Sequence, residues 1–277
     1  MNRNIEQYAS GSVFDSFGRI GALVRRHLYL MKGSGPRILE MAYWPMVQMV
    51  LWGFITMFLS QKTDYISQAF GVLLTAVLLW DTCFRSNITV ALSFLEEMWS
   101  RNLGHLFVSP LRPHEMIISL MTMSLIRTTI GVIPATILAM WFFGFSIYSL
   151  GWPLIAFYIN LAIMGWSFGL VVCGLVLKYG LAAESLAWLL AFAVAPITGI
   201  YYPIDVLPEW LQWIAYSLPS THIFAGMRAI VVDSVVYSHL LLNAAGLNAI
   251  FIGFSAWFFM TMFRGARREG KLLQMGE

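Results

Sequence analysis

The sequence predicts an all-α, polytopic membrane protein, and three observations carry that prediction. Hydrophobic residues fill 59% of the 277 positions and charged residues only 11%, against roughly 25% charged in an ordinary globular chain. The apolar residues fall into long runs, most near the roughly 20 residues that a helix needs to cross hydrocarbon. Basic residues gather between alternate runs, as they do on the cytoplasmic side of membrane proteins. A water-soluble enzyme is excluded, and so is a disordered chain, because 20 Phe, 11 Tyr and 11 Trp supply the apolar surface that disorder lacks. The net charge of +3 comes without a basic run long enough for a nucleic-acid partner. Cys83 and Cys173 both lie in apolar runs, which argues against a disulfide framework or a paired-thiol metal site, and no catalytic or metal-binding set is assigned.

Residues 1–40 read as a cytoplasmic segment without a cleavable signal peptide. Between Phe14 and Lys32, apolar Phe17, Ile20, Val24, Leu28 and Met31 recur at three- and four-residue steps, while Arg19, Arg25 and Arg26 lie elsewhere around the helix. That pattern predicts an amphipathic helix in the membrane interface, with a plain charged flank as the alternative. Gly33, Gly35 and Pro36 are expected to break it. Residues 41–263 form the transmembrane domain, with six predicted spans: Met41 to Leu59, Ile66 to Leu95, Met116 to Phe143, Trp152 to Leu177, Leu181 to Tyr201 and Leu240 to Phe263. Residues 264–277 form a basic cytoplasmic tail.

Orientation follows from charge. With both termini cytoplasmic, the inner segments hold Arg3, Arg19, Arg25, Arg26, Lys32, Arg37, Arg101, Arg112, Lys178, Arg264, Arg267, Arg268 and Lys271, and the outer ones only Lys62 and Arg228. Trp44, Trp80, Trp152, Trp210, Trp213 and Trp257 suit either interfacial anchoring or helix packing.

Asp81, Arg85 and Arg127 lie deepest in apolar sequence, where a charge costs at least about 2.5 kcal/mol unless paired or hydrated. Counted at 1.5 Å per residue, Asp81 and Arg127 reach similar depth on the second and third spans, which predicts an ion pair between them, with Arg85 as a competing partner one turn from Asp81. Such a pair serves either as a packing clamp or as a substrate contact. Small residues make seams: Ala183, Ala187, Ala191, Ala195 and Gly199 along the fifth span, and Gly165, Gly169 and Cys173 along the fourth. The fifth-span seam fits another span or a second copy equally. Pro134 and Pro196 are expected to bend their helices.

Two loops are too patterned to be linkers. The block from Glu96 to Glu115 carries Glu96, Glu97, Arg101, His105, Arg112 and Glu115 around an apolar centre of Leu103, Leu106 and Phe107, which suits a short helix docking into a groove on another protein. After the fifth span, Tyr202, Pro203, Pro208, Trp210, Trp213, Pro219, Thr221 and Arg228 mark short helices lying in or re-entering the outer leaflet, with Pro208 placed for a first helical position. Irregular backbone at that depth has to be buried in protein or wet, as at the rim of a pathway.

The Tyr-Pro, Leu-Pro-x-Trp-Leu-x-x-Ile and Pro-x-Thr elements from Tyr202 to Thr221, with Arg228 following, and the Ser109-Pro110-Leu111 and Glu115 block, resemble the membrane subunits of the ATP-binding-cassette type-2 permease family over nearly the whole chain. The resemblance implies an exporter of two permease chains, here a homodimer, and two separate nucleotide-binding subunits, which hold ATP and Mg. It makes residues 96–115 and the Phe14 to Lys32 helix the surfaces touching the ATPase. Many members carry an acidic-basic-Gly-Thr-Leu-Glu string where this chain reads Trp99-Ser100-Arg101-Asn102-Leu103, a variant closer to relatives exporting polysaccharides or lipid-linked glycans.

The chain has no Gly-x-x-x-x-Gly-Lys-Ser/Thr phosphate loop, so ATP hydrolysis is expected on a partner and no cofactor on this chain. ATP-driven closure of the ATPases would pull on the cytoplasmic contacts, and a path between two copies lined by aromatic and small residues would suit an amphiphile: a lipid-linked glycan, a polysaccharide, a lipid or a hydrophobic drug. A bacterial inner membrane, with its lipids as further partners, is the expected setting. Two alternatives differ in class. A membrane-embedded enzyme would use His222, Asp205, Glu209 and Arg228 at the outer face. A secondary transporter would use Asp81, the intramembrane acid, although the chain shows no internal repeat.

Overall fold

The computed structural model describes residues 13–60, 64–100 and 102–269, and among them every regular element is helical. Helix α1, Val13–Lys32, is followed by α2, Gly35–Ser60, α3, Asp64–Trp99, the short α4, Leu103–Val108, and α5, Pro113–Phe143. Then come a 3-10 turn at Ile147–Leu150, α6 at Pro153–Tyr179, a second 3-10 turn at Gly180–Ala183 and α7 at Leu186–Val194. A 3-10 turn at Ile204–Val206 leads into α8, Glu209–Tyr216, α9, Pro219–Asp233, and α10, Ser238–Arg268. Among the described residues, four segments are long and apolar enough to cross a membrane: Gly35–Phe58, Pro113–Phe143, Pro153–Ala183 and Ser238–Arg268. Helix α3, where the second span was expected, carries Asp81 and Arg85 midway and Glu96 and Glu97 at its end. At 36 residues it is about 54 Å long, so one end projects beyond a hydrocarbon layer of about 30 Å.

The fifth predicted span is not one continuous helix. It starts as a 3-10 turn and contains only nine residues of α-helix, about 14 Å. Pro196 lacks the N–H that would extend α7, and Gly199 reverses the chain at φ +69, a left-handed conformation that favours glycine. The segment still runs from one core cluster to the other, since Ala183 and Ala187 are buried with Phe94, Met116 and Leu177, whereas Ala195 and Ile200 are buried with Leu79, Leu150 and Phe224. Gly33 and Ser34 alone make the break before α2, whose first turn absorbs Pro36.

In lipid the apolar effect no longer drives helices together, so close approach has to. Helix α6 provides it. A Cβ on Gly165 would lie 2.7 Å from Ser86 Cβ and one on Gly169 2.8 Å from Val90 Cβ, so α3 and α6 meet backbone to backbone. Cys173, one turn on, is fully buried against the Val90 carbonyl. The alanine seam of the fifth segment is buried within the same chain: Ala183, Ala187, Ala191 and Ala195 are buried, and Asn87 Nδ2 of α3 donates to the Ala187 carbonyl at 2.8 Å. Gly199 belongs to the turn rather than the seam.

Candidate functional site

One face of α2 and one face of α3 turn toward each other and leave a cavity of about 610 Å³ between them. Helix α2 contributes Arg37, Glu40, Met41, Trp44, Gln48 and Trp52. Helix α3 contributes Val77, Trp80, Asp81, Phe84, Arg85, Ile88, Thr89, Leu92, Glu96 and Trp99, while Arg127, Trp188, Phe192, Ala195 and Tyr201 complete the wall. The three- and four-residue spacing is what one helical face requires. From Val77 to Trp99 the lining covers about 33 Å of helix, the thickness of a bilayer's hydrocarbon. The cavity is a groove between the helices, walled by indoles and phenyl rings and crossed by charges. Trp44, Trp188 and Phe192 stand exposed on its rim. Trp44 and Trp80, which the sequence left between anchoring and packing, face this groove, whereas Trp152, Trp210, Trp213 and Trp257 are exposed elsewhere.

The charges pair differently from the expectation. Asp81 accepts from Arg85 Nε at 2.6 Å, one turn along its own helix, and Arg127 turns away to Ser93 Oγ at 3.2 Å and Glu96 Oε2 at 3.4 Å. The expected Asp81 to Arg127 pair does not form, for two reasons. Ser124 Oγ donates to the Ser86 carbonyl at 3.2 Å, a register that puts Arg127 on the cytoplasm-facing side of Asp81 in the predicted orientation. Helical side chains also lean toward the N-terminus, so on antiparallel α3 and α5 the two lean apart, while Glu96 and Arg127 lean together. Glu96 is shared, since Arg37 of α2 lies 3.5 Å from its other oxygen. Buried Arg127 keeps its Nε without a hydrogen-bond partner.

The block expected to dock the ATPase packs largely on its own chain. Glu97 is buried and accepts from Arg26 Nη1 at 2.7 and 2.8 Å and from Asn102 Nδ2 at 2.7 Å, with His27 Nε2 3.4 Å away. Glu115 is buried in the first turn of α5, where it accepts from Arg19 at 2.6 and 2.9 Å, from Ser16 Oγ at 2.6 Å and from the backbone N–H of Arg112 at 2.9 Å. That carboxylate raises the Arg19 guanidinium above its ordinary pKa. Leu103 is buried in the core and the half-buried Leu106 packs on it, while the side chain of Phe107 lies outside the described residues. Arg101 and the side chain of His105 lie outside the described residues. Two buried acids therefore pin α1 to the ends of α3 and α5. They also set its rotation: Leu23, His27 and Met31 are buried beside the half-buried Arg19 and Arg26, and Phe14, Phe17 and Tyr29 are exposed.

At the opposite end Tyr202 donates its hydroxyl to the Pro196 carbonyl at 2.6 Å, and Pro203 leads into the 3-10 turn. Pro208 is the N-cap of α8, one residue before the expected position, and Trp210 and Trp213 project from that helix. Pro219 opens α9, Thr221 Oγ1 donates to the Ala215 carbonyl at 2.6 Å, and Arg228 reaches the carbonyls of Gly199, Ile200 and Tyr202. His222 contacts the Tyr216 carbonyl at 3.0 Å, and no ion pair joins His222, Asp205, Glu209 and Arg228 among the described residues. No cluster of three or more metal-ligating side chains occurs among the described residues either.

Sequence comparison matches residues 19–232, well over half of the chain and including the whole groove, to the family described as ABC-2 type transporter. No curated protein matches the sequence.

Proposed function

Because the chain belongs to the ABC-2 type transporter family, whose members are membrane permease subunits of ABC transporters, we propose that it is one half of an exporter for an amphiphile, with a lipid-linked glycan or polysaccharide as the favoured class and a lipid or hydrophobic drug as the others. The groove is the observation that carries this reading. Indole faces stack on sugar rings and alkyl chains alike, and the Asp81–Arg85 and Glu96–Arg127 pairs offer donors and acceptors without a net charge to trap an ion. A second copy placed against the exposed rim of Trp44, Trp188 and Phe192 would turn two grooves into one enclosed path.

Power comes from separate nucleotide-binding subunits on the cytoplasmic face, where both termini lie, in a bacterial inner membrane. Helix α1 is their lever. Bound to Glu97 and Glu115, it passes any push directly to α3 and α5, which wall the groove. Glu96, joined to both Arg37 and Arg127, links α2, α3 and α5 at the inner end.

Co-purification with the host ATPase, reconstitution into liposomes and lipid and glycan analysis of bound material test the proposal. ATP-dependent transport that falls when Trp44 or Trp188 becomes alanine is the expected result. Transport at full rate with no nucleotide-hydrolysing partner would contradict it.

A further inference from the structure

The groove stops at one place, and the residues that stop it are built to do so. Trp52, Val77 and Tyr201 are the lining residues farthest from the Glu96 end. There the Trp52 ring of α2 stacks on the Tyr201 ring at a centroid distance of 5.0 Å and an interplanar angle of 22°. Tyr201 is not on a helix. It sits in the turn after α7, and three independent contacts fix that turn. Arg228 of α9 donates to the Gly199 and Tyr202 carbonyls, the latter at 3.0 Å, and reaches the Ile200 carbonyl at 3.4 Å. Tyr202 ties itself back to the Pro196 carbonyl. Gly199, at φ +69, has no room for a side chain, since a Cβ would lie 2.8 Å from Ile204 Cδ1.

Among the described residues Arg228 donates to carbonyl groups of this turn, which cross-braces the turn to α9. From this geometry we infer that the Trp52–Tyr201 stack is an aromatic gate closing the outer end of the groove, and that Arg228 is the positioning residue that holds its mobile half in place. The inference rests on the groove being a transport path. Opening needs only a small displacement of the 199–202 turn, which parts the rings without breaking a span. Because Arg228 belongs to α9, movement of the outer short helices is what releases the gate.

Gln48, about one turn inward of Trp52 on the same lined face, reports the gate directly. A membrane-impermeant maleimide is applied to full-length protein in native membranes, on whichever face labels Glu209→Cys, so the readout does not depend on orientation. Native Cys83 and Cys173 are buried and give a low background. With the stack intact, Gln48→Cys is expected to label slowly. Adding Tyr201→Ala or Trp52→Ala should raise its rate about tenfold, the factor given by the ~1.4 kcal/mol of a lost ring pair. Arg228→Ala should act in the same direction, Arg228→Lys less so, and Tyr201→Phe, which keeps the ring, should not. Either alanine variant suffices should the other fail to accumulate. Unchanged rates in the alanine variants, or Gln48→Cys labelling as fast as Glu209→Cys with the stack present, would overturn the gate. ATP-driven transport is scored separately: its absence sinks the permease reading, whereas a rate blind to the stack sinks the gate alone.

Discussion

Replacing Glu97 by alanine separates the two roles open to the block from Glu96 to Glu115. As a docking residue on a free surface, Glu97 could be removed with little effect on the isolated chain. In the structure it is buried, with two hydrogen bonds from Arg26 and one from Asn102, all between 2.7 and 2.8 Å. Removing one partner of a fully buried ion pair costs about 3–5 kcal/mol. Arg26 is 37% exposed and recovers water, which lowers that figure, while Asn102 still loses a charge-assisted bond worth roughly 1.5–3 kcal/mol. A net loss of about 2 kcal/mol follows, a fall in Tm of about 4–8 °C for a chain of this size. Fluorescence-detected size-exclusion of detergent-solubilised protein after heating measures it. A double-mutant cycle between Arg26→Ala and Glu97→Ala should return a coupling of about 1 kcal/mol or more. A Tm unchanged within about 1 °C, with no coupling, would refute the clamp and return Glu97 to the docking surface.

Exchanging charges within α3, Asp81→Arg with Arg85→Asp, should restore the expression and transport lost in either single variant, whereas the exchange of Asp81 with Arg127 should not; cell-surface yield and ATP-dependent transport distinguish the two. Gly165→Leu should reduce yield and stability by at least about 1–3 kcal/mol, because its side chain would enter the backbone contact with α3, and a Tm equal to that of the unaltered chain would show that the helices do not meet there. Glu96→Ala should uncouple ATP hydrolysis from transport, read as ATPase activity retained with transport lost, by freeing Arg37 and Arg127 together; unchanged transport counts against the linkage.

Much of this was legible in the residues. Long apolar runs gave α2, α5, α6 and α10, and the Gly165–Gly169–Cys173 spacing gave a seam that the backbone contact with α3 explains. The break in the fifth segment is not legible because hydropathy is blind to hydrogen bonding: residues 181–201 are largely apolar, yet Pro196 and the φ of Gly199 decide where helix ends. The Asp81 to Arg127 pair failed because counting residues fixes Cα height alone, leaving out helix register and side-chain lean. For helix α1, an apolar stripe does not say whether lipid or protein will cover it, and the acids that fix the helix, Glu97 and Glu115, lie 71 and 96 residues from their arginines. The groove itself was hidden because it is shared among α2, α3, α5, α7 and Tyr201. Its sequence trace, a face at three- and four-residue steps on α2 and α3 that mixes aromatics such as Trp44, Trp52, Trp80 and Phe84 with charged residues, is visible only when the two helices are compared.

The central claim is that substrate travels along this groove. A photo-crosslinking residue at position 44, on the groove rim, and another at position 137, on the exposed outer side of α5, tests it in membranes containing the partner ATPase. The account predicts a glycan- or lipid-bearing adduct at position 44 that is depleted when ATP drives export, and only bulk lipid at position 137. Equal, ATP-insensitive adducts at both positions would contradict it.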